Sequence, residues 1–463
     1  MPERKAPAAL LAAALALAAL GFAACKGERP NPSQPPRNVI LIVVDTLRAD
    51  RLSAFGYARP TSPNLAEFAR HAVRFDAARS QAACTFPSVN SILTSRWPAA
   101  FLGQPDGALG IPPEVPSLAG ILQARGFHTV AVSASAVVRK SPSRFNPGGG
   151  FARGFDVFHE DCVWQPASCV DAAAAGFLRQ PAPGDKPLFL YLHYIDPHGP
   201  YQPPPTWRRR FATGTSETPQ KAWVRKGDPN PIGDWLYKGK PNPGFTPRDL
   251  QHLKDLYDEE IGFADSQLGA LFGRLRRTGL LKSSLVILAA DHGEEFLEHG
   301  DVKHCRNLFD TSLHVPLVVR VPATPPRVVA SPVQNLDLVP TVLDYLGIDV
   351  PASQPFAGRS LRPEIEGGKG KAAPEIQYAL QGSLRSAADG RYKLIEDLAA
   401  GTQALYDLKA DPGETKDVLA AERRAYAPLR DALAKWLAKS EGKGTADASR
   451  AAQERLRSLG YIE

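Results

Sequence analysis

Asp45 follows the apolar run Asn38–Val44, and the pair Asp291-His292 follows the apolar run Ser284–Ala290. A third run, Pro187–His193, ends in His193 and leads into Asp196 and His198. Carboxylates and imidazoles therefore close three separate apolar runs. Polar residues placed for structure alone would not favour one end of every run, whereas a reactive site requires that gathering. Asp and His without thiolates suit one hard or borderline divalent cation: Ca, Mn or Zn. A hydroxyl comes from Ala83-Cys84-Thr85-Phe86-Pro87-Ser88. Pro87 suits a first helical turn, so a helix is expected to begin near Phe86, with Thr85 at or beside its N-cap. Thr85 then fits two readings. It caps the helix, or its hydroxyl is directed at an anion stabilised by the helix amides. In the second case, a metal held by Asp45, Asp291 and His292 would lower the hydroxyl's pKa. His193 also has two readings, as support for this cluster or as a core histidine at a strand end.

These residues need a scaffold that brings strand ends together. With His128–Ser133 and His314–Val321, the apolar, β-branched runs number five and read as strands buried on both faces. Amphipathic helical patterns lie between them. Asn64 and Glu67 suggest a capping box ahead of Leu65, Phe68, Ala69 and Ala72. Ser117–Leu122 and Ile261–Leu275 supply two further apolar stripes. The alternation predicts an α/β fold with a large, mostly parallel central sheet flanked by helices. Ligands of such sheets sit at the carboxyl ends of the strands. The catalytic α/β domain is expected over 38–370. A Pro- and Gly-rich stretch at 197–247 interrupts it and contains Trp207, Trp223 and Trp235. That stretch reads as a lid or recognition loop, or as a packed surface insert. Over 371–463 the texture changes to short strands at Ile376–Leu380, Tyr392–Ile395 and Leu405–Leu408, then a helix carrying Tyr426, Leu429, Leu433 and Trp436. A small C-terminal α+β subdomain is expected there.

The 463 residues are 43% hydrophobic and 22% charged, which excludes a disordered chain. A single long apolar run excludes a polytopic membrane protein. Lys and Arg number 55 against 48 Asp and Glu, a net charge of +7 that permits acidic partners without requiring them, and no nucleic-acid partner is expected. Arg4 and Lys5 precede the apolar run Ala8–Ala24, and Phe22-Ala23-Ala24-Cys25 follows a signal-peptide plan. Residues 1–24 are read as a signal peptide and 25–37 as a Pro-rich tether. Cys25 after the small pair is similar to a lipoprotein box, which implies lipid on Cys25 and a membrane-anchored periplasmic or surface location. An uncleaved anchor or an ordinary signal peptide are the other two readings. All three export the catalytic part. In an exported chain, Cys162 and Cys169 are expected to form a local bridge.

Several segments, in order, resemble the sulfatase family of the alkaline phosphatase-like superfamily. Val43-Val44-Asp45-Thr46-Leu47-Arg48-Ala49-Asp50 looks like its opening metal motif, and Thr61-Ser62-Pro63-Asn64-Leu65 its continuation. Thr85-Phe86-Pro87-Ser88 aligns with the nucleophile motif. Asp196-Pro197-His198-Gly199-Pro200-Tyr201, Ala290-Asp291-His292-Gly293-Glu294 and His304–Pro316 resemble later site segments. Leu405-Tyr406-Asp407-Leu408, Asp411-Pro412-Gly413-Glu414 and the closing Leu456–Tyr461 resemble its C-terminal part. The likeness covers about residues 37 to 463. It implies a hydrolase acting on sulfate or phosphate esters. Asp45, Asp291 and His292 would be metal ligands, with Thr85 as nucleophile and fourth ligand. His198 and His304 would bind the substrate's anionic oxygens, and one of them would protonate the leaving group. Lys303 is a further anion-binding candidate. The expected partner is a small-molecule, glycan or lipid-headgroup anionic ester.

The sequence departs from the family pattern at three places. Sulfatases use a formylglycine made from Cys or Ser, and Thr85 occupies that position. Val89 replaces the motif's Arg, and Thr46 replaces the second Asp of the opening pair. A set of Asp, Thr, Asp and His resembles instead the phosphodiesterase and phosphotransferase branches, which imply a phospho-Thr intermediate. A catalytically silent relative that binds anions or glycans is the remaining alternative. Cys84 and Cys305 adjoin Thr85 and His304. If those two residues meet one anion, their neighbours lie close enough to pair; two free buried thiols are the other reading.

Overall fold

The computed structural model describes residues 35–100, 110–143, 145–146, 148–179, 183–212, 244–349, 356–368 and 376–440. The expected signal peptide at 1–24, Cys25, Trp223, Trp235 and Leu456–Tyr461 lie outside them. Among the described residues, no helix is long and apolar enough to cross a membrane.

The central sheet has eight strands: β1 (Asn38–Val44), β2 (Val73–Phe75), β3 (His128–Ser133), β4 (Val157–His159), β5 (Leu188–Tyr194), β6 (Ser284–Ala290), β7 (Leu317–Arg320) and β8 (Arg327–Val329). Their spatial order is β8-β2-β7-β6-β1-β5-β3-β4. All neighbours run parallel except β7, which is antiparallel to both β6 and β2. The expected strand over His314–Val321 is thus shorter and reversed, and β2, β4 and β8 are too short to show as apolar runs. Strands β1, β5 and β6 are buried at every position, as strands covered on both faces must be.

Alternate β1 residues feed two cores. Ile40, Ile42 and Val44 pack with α1 (Pro63–Ala69), α4 (Ala167–Leu178) and the long α5 (Pro247–Arg277). Val39, Leu41 and Val43 pack with α2 (Thr85–Thr94), α3 (Leu118–Ala124) and α6 (Leu338–Tyr345). Each such fully buried aliphatic side chain contributes about 1.5–3 kcal/mol. Ser117 caps α3 through its hydroxyl, which accepts from the Gly120 amide. The capping box expected at Asn64 and Glu67 does not form, because α1 starts one residue before Asn64. Its free amides are satisfied from another helix instead: Asp265 of α5 accepts from the amides of Asn64 and Leu65 at 2.9 and 2.8 Å.

The C-terminal part is a four-stranded antiparallel sheet of β9 (Gln377–Gln381), β10 (Leu384–Ala388), β11 (Tyr392–Asp397) and β12 (Thr402–Asp407), backed by α7 (Arg423–Ser440). Strand β10, with two Ala, a Ser and an Arg, carries no apolar alternation and was not expected. Leu394, Leu405, Leu429, Leu433 and Trp436 form its own small core. A charged cluster fastens this sheet to the main body. Arg79 pairs with Asp310 at 2.6 Å, and the wholly buried Lys393 ammonium reaches Asp310 at 2.8 Å and Glu414 at 2.6 Å. Burial opposes charge on Asp310, but Arg79 and Lys393 overcome it and hold the carboxyl well below the usual carboxylate range. An unfolded Asp titrates near ~3.9. The stabilisation is therefore complete above about pH 4 and is lost as pH falls through the depressed folded value. Asp310→Asn should cost about 3–5 kcal/mol at neutral pH by leaving two buried cations under-compensated. Urea unfolding at neutral and acid pH checks this: the gap between variant and parent should narrow in acid, and a pH-independent gap would refute the ion-pair account.

Candidate active site

Strands β1 and β6 pair in parallel with Val44 opposite Ala290. The next residue of each strand, Asp45 and Asp291, must therefore emerge side by side at the carboxyl edge. Both are buried. Among the described residues, neither forms a salt bridge with a Lys or Arg. Asp45 Oδ1 and Asp291 Oδ2 have no hydrogen-bond partner, although the other Asp291 oxygen accepts from the amides of Thr46 and His292. Burial pushes the Asp45 carboxyl well above its usual value, and Asp291 pushes it the same way.

Two imidazoles face this pair. His292 Nε2 lies 3.6 Å from Asp45 and 3.5 Å from Asp291. Its Nδ1 lies 2.9 Å from the Gly293 carbonyl, a bond that Nδ1–H must donate, so Nε2 presents a lone pair. Burial opposes charge on His292, but Asp291 and Asp45 outweigh it and raise the pKa. His193, at the penultimate position of β5, has Nε2 3.4 Å from Asp45 and Nδ1 2.7 Å from the Tyr191 hydroxyl. Burial drives it down to about 4, which keeps it neutral. Asp45, His193 and Asp291 each bring one ligand atom within 4.8 Å of the others. Orphaned carboxylate oxygens beside imidazole nitrogens could hold a divalent cation. The residues fit the ion, and His193 joins the expected set of Asp45, Asp291, His292 and Thr85. Thr46 adds no ligand: its hydroxyl turns back to the Asp45 carbonyl.

Thr85 is the first residue of α2, with Cys84 at the N-cap position. Its hydroxyl lies 3.2 Å from His292 Nε2 and does not serve as the cap. Ser88, one turn on, donates to the Asp291 carbonyl at 2.6 Å and fixes the helix against β6. Gly293 permits the close turn after His292: a Cβ there would meet the Thr311 carbonyl oxygen at 2.0 Å.

His304 approaches from the other side. Its ring centroid is 4.6 Å from that of His292 and 4.9 Å from that of His198. His304 Nδ1 meets Glu294 at 3.0 Å, and the Tyr201 hydroxyl donates to the other Glu294 oxygen at 2.9 Å. Glu294 and Tyr201 lay within quoted motifs without a role being seen in them. Lys303 and Cys305, on either side of His304, both have left-handed backbones (φ 70° and 69°), which non-glycine residues adopt at a cost of about 1–3 kcal/mol. Two links hold that geometry: the Cys305 amide donates to the Ala83 carbonyl at 2.7 Å, and Cys305 is disulfide-bonded to Cys84. Cys162 is bonded to Cys169. Burial, then His292 and Lys303, depresses the His304 pKa, while burial followed by His304 takes His198 to about 3. Both rings are therefore neutral until an anion arrives. Lys303 is buried, and burial lowers its pKa well below the usual lysine value.

Other polar and aromatic residues near these segments have different work. Asp196 turns away from the carboxylates and accepts from the Ala167 amide at 2.7 Å, at the start of α4. His299 bridges Glu295 and the Gly413 carbonyl while stacking on Phe309. Trp207 packs against Phe263 of α5 beneath Arg210, and residues 213–243 of the same stretch lie outside the described residues.

The family model described as Sulfatase matches residues 37–348, and the one described as N-sulphoglucosamine sulphohydrolase, C-terminal, matches 298–443. The chain belongs to the sulfatase family. It is 28% identical to the choline-sulfatase of Rhizobium meliloti (strain 1021) over 50% of this chain and 46% of that one. The chain spans about half the length of the curated relatives it matches. The sulfatase-family fold is shared with a 2-O GAG sulfatase (TM-score 0.69, 20% identity, 89% of this chain and 94% of the other). It is shared equally with the phosphonate monoester hydrolase of Agrobacterium radiobacter (TM-score 0.67, 23% identity, 88% and 95%).

His193→Ala should weaken divalent-ion binding to metal-stripped protein by about 10–100-fold in calorimetric titrations with Zn, Mn or Ca, with Lys303→Ala near the parent value. Unchanged affinity in the His193 variant would show that this ring only packs behind the site.

Proposed function

We propose that this sulfatase-family protein hydrolyses an anionic sulfate or phosphate ester, with the Thr85 hydroxyl as nucleophile. The observation that carries the reading is the position of that hydroxyl. It stands at a helix N-terminus, 3.2 Å from a histidine that also faces two unpaired carboxylates. A divalent ion held by Asp45, Asp291, His292, His193 and Thr85 would neutralise the carboxylates and make the hydroxyl acidic. Its identity among Ca, Mn and Zn is left to titration.

The side chains then divide the work. Thr85 loses its proton to water, and its Oγ1 forms a bond to the sulfur or phosphorus in line with the departing alcohol. His198 and His304 place their Nε2 atoms toward the anion, and the anion's charge raises both depressed pKa values. One of them gives its proton to the leaving oxygen as that bond breaks. Glu294 accepts a hydrogen bond from Nδ1–H of His304 and fixes its orientation. Buried Lys303 adds positive potential behind the anion. The same histidine, now neutral, takes a proton from the water that attacks the sulfur or phosphorus, the bond to Thr85 Oγ1 breaks, and that oxygen takes a proton back from solvent to regenerate the hydroxyl.

A phosphoester is the reading that Thr85 itself favours, as in a phosphodiesterase or phosphotransferase. A phospho-Thr is cleaved by attack of water or an acceptor alcohol, whereas a sulfated Thr lacks the hemiacetal route open to an aldehyde hydrate. The choline-sulfatase and the phosphonate monoester hydrolase, each named for an anionic ester, support the wider class. A silent anion-binding role is disfavoured because Asp45, Asp291 and His292, the proposed metal ligands, are all present. Two disulfides support export to an oxidising compartment, with Cys25 as the proposed lipid anchor.

A panel of aryl sulfates and phosphate mono- and diesters, each with added Zn, Mn or Ca, identifies the reaction. Thr85→Ala should lower kcat by about ten-thousand-fold or more while folding persists and the four remaining side chains still bind the ion, though less tightly. Mass spectrometry of quenched parent protein should find the acyl-free phosphoryl or sulfuryl adduct on the peptide containing Thr85. Full turnover by the alanine variant would remove Thr85 from the mechanism.

A further inference from the structure

Four rings run in a row from the nucleophile to solvent. His292 contacts Thr85. His304 lies 4.6 Å from His292 between ring centroids, His198 lies 4.9 Å from His304, and the Trp164 indole lies 5.5 Å from His198. Exposure rises along the row: His292 is wholly buried, whereas Trp164 is 45% exposed. Among the described residues, Trp164 is the only aromatic side chain among the large hydrophobic ones left exposed. An indole held in water at the mouth of a cleft is an unsatisfied apolar surface.

The loop beneath it is built to hold that ring out. Trp164 has a left-handed backbone (φ 59°), and its amide donates to the Ala134 carbonyl, just past the carboxyl end of β3, at 3.0 Å. Cys162, completely buried, and Cys169 bond across the loop and fix both sides of it. Phe145 meets the indole edge-to-face at 5.9 Å, so one side of the ring is supported by the protein. A ring fixed in this way loses little conformational freedom when a ligand covers it.

We propose that Trp164 is the stacking platform for a ring in the alcohol portion of the substrate ester. The proposal rests on the ester-binding reading of the cleft. The occupant follows from position: an anion held between His304 and His198 must send its alcohol along the row toward Trp164. The surface waiting there is flat and apolar, with the electron-rich face that suits a saccharide's C–H face or an arene. An acyclic alcohol has no such face to offer. Trp164 is thus a specificity residue that touches the alcohol and takes no part in bond breaking.

The test uses full-length protein carrying Thr85→Ala, so that binding is read without turnover. Calorimetry compares three esters, each as phosphate and as sulfate: 4-nitrophenyl, glucose 6-O-linked and propyl. Adding Trp164→Ala should weaken the ring-bearing esters about tenfold and change the propyl ester less than twofold. Trp164→Phe, which keeps a flat face, should restore most of the loss. A larger effect on the 4-nitrophenyl ester assigns an arene, and a larger effect on the glucose ester assigns a saccharide. Equal losses for all three esters would show that Trp164 only shapes the loop and would overturn the proposal. So would ring-bearing esters that bind no more tightly than the propyl ester. The two readings fail separately: protein with native Thr85 that turns over nothing, yet still discriminates rings through Trp164, loses the reaction and keeps the platform.

Discussion

Two negative side chains forced together in a dry place set the terms for the rest of the molecule. The parallel register of β1 and β6 leaves Asp45 and Asp291 no choice of neighbour. At about 4 Å and an effective dielectric near 20, two such charges repel by roughly 4 kcal/mol. Among the described residues no guanidinium or ammonium pairs with them, and one oxygen of each is left without a hydrogen bond. The sequence concentrates its compensation at the same edge: imidazole lone pairs from β5 and from the turn after β6, and the positive end of α2. Such an arrangement is unfavourable as a structural feature and sensible as a cation site.

The supports around this pair are as informative as the pair itself. Each imidazole has its rear nitrogen occupied: Tyr191 behind His193, the Gly293 carbonyl behind His292, Glu294 behind His304 and the Gly199 carbonyl behind His198. With Nδ1 engaged in every case, Nε2 is the atom turned inward. The protein thereby sets tautomer and direction together, which is how a static scaffold prepares for proton transfer.

Much of this was legible from the chain alone, for identifiable reasons. Fully apolar β-branched runs mark β1, β3, β5 and β6 without ambiguity, and a polar residue that ends such a run has to sit at the sheet's edge. The local Cys162–Cys169 bridge was expected from an exported chain, whereas Thr85 kept two readings until the family resemblance and the Cys84–Cys305 bridge stood beside free thiols until the fold decided it. What could not be read depends on contacts remote in sequence. The box at Asn64 has the right spacing, yet Asp265, some two hundred positions away, satisfies those amides. The reversal of β7 depends on which strands it joins, and apolar content does not report direction. Strand β10 is held by cross-strand bonding with little help from its side chains. Glu294 and Tyr201 sat in plain view within motifs, but their partnership with His304 exists only in three dimensions. His193 was left undecided because a strand-end histidine looks the same in sequence whether or not its far nitrogen faces a carboxylate.

The Cys84–Cys305 link has a consequence for chain integrity. Its two sulfurs are separated by 221 positions, so everything from α2 to the His304 turn lies inside one covalent ring. A single backbone cut within that ring, for example by a protease acting at one of the basic residues between 213 and 243, opens the ring without releasing either piece. The two fragments would remain tethered one residue from Thr85 on one side and one residue from His304 on the other, and would migrate apart on a gel only after reduction.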